Sequence, residues 1–268
     1  MALKDITLGQ YFPGNSLIHK LDPRTKLIFT VLYIVALFSA KRLPSYLLML
    51  VVLIGCIWVS RVKPKAILRG MKPILFIIVF TAILNLFYTP GVPLVQFWIF
   101  KITAEGIWAA CYMILRITML ITCTFLLTYT TSPILLTDGL EKLLGPLKKI
   151  KVPVHELSMM MSIALRFIPT LIEETDKIMS AQKARGADFD TGNLFQKAKA
   201  LVPLLVPLFI SAFRRADELA VAMECRCYHG GEGRTRLRQL IFRRRDYLVL
   251  LGSAVMVAAV FTLRHFGL

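Results

Sequence analysis

The sequence predicts an all-α polytopic integral membrane protein with about five transmembrane helices and a polar domain of about three long helices. Three observations carry that expectation. First, of 268 residues 56% are apolar and 18% charged, and the mean hydropathy is positive, too apolar for an ordinary soluble domain. Second, the basic residues behind the formal charge of +17 lie between long apolar runs, which reads as membrane topology rather than nucleic-acid binding. Third, one polar stretch, residues 131–246, has apolar segments on both sides.

The elements follow in order. Residues 1–26 are polar and turn-rich, and the N-terminus lacks the charged-then-apolar pattern of a cleaved signal, since the first apolar run begins only after Lys26. Asp22 and Pro23 read as an N-cap followed by proline at the first helical position. They open an apolar helix over 25–40, broken by Lys41, Arg42 and Pro44. A second apolar run covers 46–60. Both runs fall short of the roughly 20 residues a perpendicular span needs. Arg61, Lys63, Lys65, Arg69 and Lys72 then form the strongest positive-inside signal in the chain. The third run, 73–88, ends at a turn over 89–93, and the loop to Thr103 carries only Lys101. The fourth, 105–129, carries Arg116 near its middle, which is costly in lipid and normally faces protein or water. The last covers 247–263.

Placing the basic cluster inside fixes the topology. The N-terminus and the polar stretch are cytoplasmic and the C-terminus is external. Lys41 and Arg42 then lie outside, a mild violation, while Arg243, Arg244 and Arg245 at the foot of the last span agree. The expected organisation is 1–130 for the N-terminal segment and first spans, 131–246 for the cytoplasmic helices, and 247–268 for the last span.

Within the polar stretch, 133–149 reads as a short amphipathic helix, with Leu136, Leu140, Leu143 and Leu147 opposed to Asp138, Glu141 and Lys142. Pro153 opens a second helix that keeps helical apolar spacing to Arg185, stops at Gly186 and kinks at Pro169. A third runs from Leu194 to about Tyr228, bent by Pro203 and Pro207 and ended by Gly230 and Gly231. Helices of some 30 residues reach on the order of 45 Å, enough to carry their tips out of a bilayer. The apolar runs 157–172 and 200–213 are short and interrupted by prolines and charges, so they are read as buried or interfacial rather than spanning.

No phosphate-binding loop of the Gly-x-x-x-x-Gly-Lys-Ser/Thr type occurs, so the chain is not expected to bind ATP. Gly230 to Gly233 lacks the following Lys-Ser/Thr and reads as a helix stop. The five cysteines are scattered, with no disulfide framework, and fit a reducing compartment for the polar stretch. Cys225, Cys227 and His229 lack a second ligand pair for structural zinc. No nucleophile–base pair marks a substrate pocket. No cofactor, metal or catalytic residue is therefore expected.

A near-repeat stands out. Ala181, Ala184, Arg185 and Gly186 match Ala222, Cys225, Arg226 and Cys227, with alanine four before an arginine and small residues on either side of it. A cation at a helix C-terminus is favoured by the helix dipole, worth a few tenths of a kcal/mol, and that suffices as an ordinary explanation. The alternative is docking: small flanks let a partner's backbone approach, and the guanidinium enters a pocket as an anchor. Met159, Met160 and Met161 likewise read either as core filler or as a soft, repackable surface.

Two places resemble a known family. Tyr11, Pro13, Gly14, Asn15, Ser16, His19, Leu21, Asp22, Pro23, Arg24, Thr25 and Lys26 resemble the opening of the transmembrane T component of energy-coupling factor transporters. The pair Ala184-Arg185-Gly186 and Cys225-Arg226-Cys227 resembles its two coupling motifs. That family usually has alanine where Cys225 stands, and the substitution is still small. The resemblance implies a non-catalytic scaffold of a primary-active importer in the bacterial cell membrane. Two separate ATP-binding-cassette ATPases bind its cytoplasmic side, taking Arg185 and Arg226 into their grooves. A membrane-embedded substrate-binding subunit captures a vitamin or transition-metal ion. Apart from the resemblance, the three cytoplasmic helices carry more apolar surface than their own packing would consume, so their apolar faces, Met159, Met160 and Met161 included, are expected to form the platform for that subunit. The alternative class is a stand-alone secondary transporter or channel, which needs a midplane site of ionisable residues. Arg116, Asn85 and Glu105 are thin material for one.

Overall fold

A computed structural model describes residues 11–40, 42–90, 93–97, 100–187, 189, 193–230 and 239–266. Its helices are α1 (Pro23–Ser39), α2 (Leu43–Ser60), α3 (Pro64–Tyr88), α4 (Ala104–Thr130), α5 (Pro133–Leu143), α6 (Val154–Ala184), α7 (Leu194–Glu224) and α8 (Arg244–His265). One antiparallel hairpin, β1 (Pro93–Phe97) with β2 (Phe100–Thr103), joins α3 to α4. The architecture is thus all-helical apart from this small connection. The chain divides into two compact units, one holding α1 to α5 with α8, the other α6 and α7.

In the first unit, α2, α3, α4 and α8 are long and apolar enough to cross a membrane. The shorter α1 is the helix that α2, α4 and α8 gather around, while α3 packs on α4. Helix α1 packs on α8, α5, α4 and α2, and Tyr33, Ala36, Leu37 and Ala40 are fully buried. Tyr46 and Met49 of α2, Met119 and Cys123 of α4, and Met256 and Val260 of α8 complete that core. The outward faces of α2 and α3 stay apolar and open, with Trp58 and Phe76 among the most exposed. Such faces suit a hydrocarbon solvent rather than water.

Several helix ends in this unit are satisfied by side chains. Asp22 caps α1, its carboxylate accepting the Arg24 backbone N–H at 2.9 Å. The Arg24 guanidinium returns to the same carboxylate through two N–H groups, at 3.0 and 2.9 Å, lies 3.9 Å over the Phe242 ring and donates to the Leu240 carbonyl. Asp246, almost wholly buried, accepts the N–H of Asp22 at 2.8 Å and that of Arg243 at 2.8 Å, so one carboxylate joins the starts of α1 and α8. The Lys26 amine donates to the Thr130 carbonyl at 2.9 Å and to Thr131 Oγ1 at 3.0 Å, closing the end of α4. Arg116 faces protein as its cost in lipid requires: it donates to Tyr46 Oη at 3.0 Å and to the Ala40 carbonyl at 3.2 Å, at the end of α1.

The polar N-terminal segment is a wrapped turn. His19 Nε2–H donates to the Phe12 carbonyl at 3.1 Å, and the Ser16 hydroxyl donates to His19 Nδ1 at 2.6 Å. A Cβ at Gly14 would stand 2.9 Å from the imidazole, closer than side chains come, so the glycine is needed for the ring to lie there.

Several boundaries differ from the sequence expectation. α3 begins at Pro64 rather than at residue 73. Proline is well placed in a first turn, so the basic cluster from Lys65 to Lys72 rides on the helix instead of preceding it. The expected single helix over 133–149 ends at Leu143, and Gly145–Ile150 is a separate 3₁₀ turn because Gly145 and Pro146 interrupt the α ladder. Pro153 caps α6 rather than opening it. α7 ends at Glu224, four residues early. Pro73, Pro169, Pro203 and Pro207 all lie inside continuous helices. Lys41 and the stretch from Gly231 to Gly233 lie outside the described residues.

Asp246→Ala is expected to cost about 2 kcal/mol, since two buried N–H groups lose a charged acceptor; thermal unfolding of the purified protein in detergent measures it. Burial holds the His19 imidazole below its ordinary value of 6.5, helped by the Lys26 ammonium and opposed by the bond to Phe12. The folded state then favours neutral His19, whose contribution is full above the unfolded value and is lost as pH falls through the lower folded one. Hydrogen exchange across residues 11–20 should therefore accelerate between pH 7 and pH 5 beyond its intrinsic change, and His19→Gln should remove the excess.

Candidate functional site

The second unit is a helical pair with unlike faces. On α7, Leu204, Ser211 and Arg215 recur at helical spacing and turn inward, whereas Val202, Leu205, Val206, Phe209 and Phe213 recur on the opposite face and are about half exposed or more. On α6 the exposed apolar stripe is Leu157, Met160, Met161 and Ala164. Of the three methionines, Met159 is half-buried and Met160 and Met161 are exposed at 54% and 48%. Three successive helical residues point about 100° apart, so the run cannot act as one surface; only its last two members join the open stripe.

The two helices run antiparallel. Gln182 Nε2 donates to the Pro203 carbonyl at 3.4 Å. Two turns back along α6 and two turns on along α7, Glu174 receives the Ser211 hydroxyl and pairs with Arg215 at 2.7 Å. Pairing in this sense puts the end of α6 beside the start of α7. The arginines that close the helices therefore lie at opposite ends of the pair. At about 1.5 Å per residue, the rod from Pro203 to the Arg226 cap is roughly 35 Å long.

The near-repeat has a common backbone form. At the end of α6, Gly186 N–H bonds to the Lys183 carbonyl at 3.0 Å and Ala187 N–H to the Gln182 carbonyl at 3.0 Å, with Gly186 at φ +87. At the end of α7, Cys227 N–H bonds to the Glu224 carbonyl at 2.8 Å and Tyr228 N–H to the Met223 carbonyl at 3.1 Å, with Cys227 at φ +55. Both are Schellman closures, and Arg185 and Arg226 occupy the same position, the residue just before the left-handed one. Ala184, Arg185, Gly186, Cys225, Arg226 and Cys227 are all exposed. The terminal carbonyls are satisfied by backbone N–H groups, so neither guanidinium is needed to bond them. Among the described residues neither arginine side chain makes an ion pair or a hydrogen bond. The arrangement presents two bare cations on small-residue collars. It brings together neither the two motifs nor any nucleophile, base or metal-ligand cluster among the described residues.

The sequence pattern pointed to both tips. It missed Glu174, Ser211 and Arg215, which look like ordinary polar positions of two helices 37 residues apart, and it gave no sign that the tips diverge.

Comparison with known proteins places this geometry in context. A family model described as cobalt transport protein matches residues 14–237. The chain is 53% identical over 263 residues to the energy-coupling factor transporter transmembrane protein EcfT of Ruminiclostridium cellulolyticum, covering 98% of both chains. It is 56% identical over 257 residues to the protein of that name from Clostridium kluyveri, covering 95% of both. The identity to that of Bacillus subtilis is 50% over 263 residues, covering 98% of this chain and 99% of the relative.

The left-handed positions make opposite predictions at the two tips. Gly186→Ala should destabilise the end of α6 by about 1 kcal/mol, and Cys227→Gly should stabilise the end of α7 by a similar amount. Hydrogen exchange of the amides at 185–187 and 226–228 reads both.

Proposed function

Because this chain belongs to the cobalt transport protein family, as the transmembrane component of an energy-coupling factor transporter, we propose that it is the scaffold through which two ATPase subunits drive uptake by a substrate-binding membrane subunit. The observation that carries this reading is the pair of bare arginines in identical closures at opposite ends of one antiparallel helix pair. Two anchors facing apart suit two separate partners. A bare guanidinium on a small-residue collar suits a groove lined with carboxylates or carbonyls, where it makes several charge-assisted bonds.

In this reading α6 and α7 are cytoplasmic, the N-terminus is cytoplasmic and the C-terminus is external, as the basic cluster at the start of α3 favours. The chain itself is not catalytic; nucleotide hydrolysis belongs to the partners. Each ATPase holds one tip, so the approach of the two ATPases on binding ATP changes the angle between the helices. The apolar stripes on α6 and α7 form the platform for the substrate-binding subunit, because that much open hydrocarbon on polar-ended helices calls for a partner. The cargo is a vitamin or transition-metal ion held by that subunit. A carrier working alone would need ionisable groups free at the midplane, and Arg116, near the middle of α4, is already committed to Tyr46 and Ala40.

Arg185→Ala combined with Arg226→Ala should reduce vitamin uptake to background while the protein still inserts. Each single change should weaken ATPase binding on the order of 30-fold, the effect of losing an anchor worth about 2 kcal/mol. Uptake by reconstituted vesicles and co-purification of the ATPases measure the two. Undiminished uptake by the double variant refutes the coupling role, and photo-crosslinks from Met160 that reach only the ATPases refute the platform.

A further inference from the structure

Among the described residues, the polar contacts between α6 and α7 are confined to one stretch. The weak contact at 3.4 Å between Gln182 and Pro203 lies at one end. At the other end sits a charged cluster. The Glu174 carboxylate takes the Ser211 hydroxyl on one oxygen and the Arg215 guanidinium on the other. Ser211 and Arg215 are four apart, so they stack on one face of α7, and a single side chain of α6 grips two successive turns of α7. Both members of the ion pair are largely covered, with side-chain exposures of 28% for Arg215 and 22% for Glu174. Beyond this cluster, α6 continues to Leu157, Met160 and Met161 and α7 to Val221, all exposed. Among the described residues no further hydrogen bond or ion pair joins the two helices past that point.

We propose that Glu174 is the joint of this helix pair: by holding Ser211 and Arg215 together it fixes the angle at which α6 and α7 cross, and with it the separation of the Arg185 and Arg226 tips. A two-oxygen grip on two turns resists both sliding and rotation, which a single contact does not. A small change of angle at Glu174 is multiplied along the remaining helix to Arg226. The functional consequence rests on the reading above, that the tips are held by two ATPases; the joint itself does not.

The test uses the full chain in lipid nanodiscs, with genetically encoded spin labels at positions 180 and 218, which are exposed and outside both tip motifs. In the parent a single narrow distance distribution is expected. Glu174→Gln keeps volume and a bond to Ser211 but removes the charge, and it should at least double the width of that distribution. The exchange Glu174→Arg with Arg215→Glu should narrow it again, which a merely destabilised helix pair would not do, and so guards against a folding defect in the single variant. An unchanged width in Glu174→Gln, or a width that the exchange does not restore, overturns the joint. The same variants are then reconstituted with the ATPases and the substrate-binding subunit. A broadened distribution with at least a threefold fall in substrate taken up per ATP hydrolysed supports joint and coupling together. A broadened distribution with unchanged uptake per ATP leaves the joint standing and overturns the coupling reading.

Discussion

Every helix terminus leaves backbone groups without intrahelical partners, and in hydrocarbon water cannot serve them. The way this chain meets that constraint differs between its two units. In the helical bundle several termini are served by side chains: Asp246 for the starts of α1 and α8, Lys26 for the end of α4, Arg116 for the end of α1. The bonds of Asp246 to Asp22, of Lys26 to Thr130 and of Arg116 to Ala40 also fix one helix against another, so there satisfying the backbone and assembling the bundle are one event. At the ends of α6 and α7 the backbone closes on itself. That form of closure ties the helix to nothing and leaves its arginine unspent.

This contrast bears on the two explanations for the arginines. A cation placed only to complement a helix dipole gains most when it also bonds the last carbonyls. Here those carbonyls are already occupied by the N–H groups of Gly186 and Ala187, and of Cys227 and Tyr228. The dipole still favours the charge, but it does not explain an identical closure twice over, least of all where a cysteine accepts a left-handed conformation that glycine takes more easily.

Much of the bundle was legible because hydropathy and length report directly on burial in lipid. The spans α2, α4 and α8 and the pair α6 and α7 appear in the sequence within a few residues of their observed ends. The failures have local causes. The charges at Lys65, Arg69 and Lys72 were placed ahead of the third apolar run, although they ride on the first turns of α3. Gly145 and Pro146 were absorbed into a periodic leucine pattern that they interrupt. Long apolar spacing hid the central role of α1, whose Tyr33 and Leu37 look no different from lipid-facing residues. At the candidate site the arginines were legible as a pattern of small residues. Their common left-handed closure was not, since Gly186 and Cys227 share a conformation rather than a chemistry. Glu174 was invisible because its meaning depends on which helix lies opposite.

The bond from Arg116 bears on how the protein is made. The chain leaves the ribosome N-terminus first, so Ala40 and Tyr46 are in place before α4 is synthesised. An arginine at the centre of a lone helix opposes its entry into the bilayer by about 3 kcal/mol. With the first two helices already waiting, the guanidinium meets its acceptors as it arrives. The order of the genetic message thus supplies the escort that this segment needs to partition.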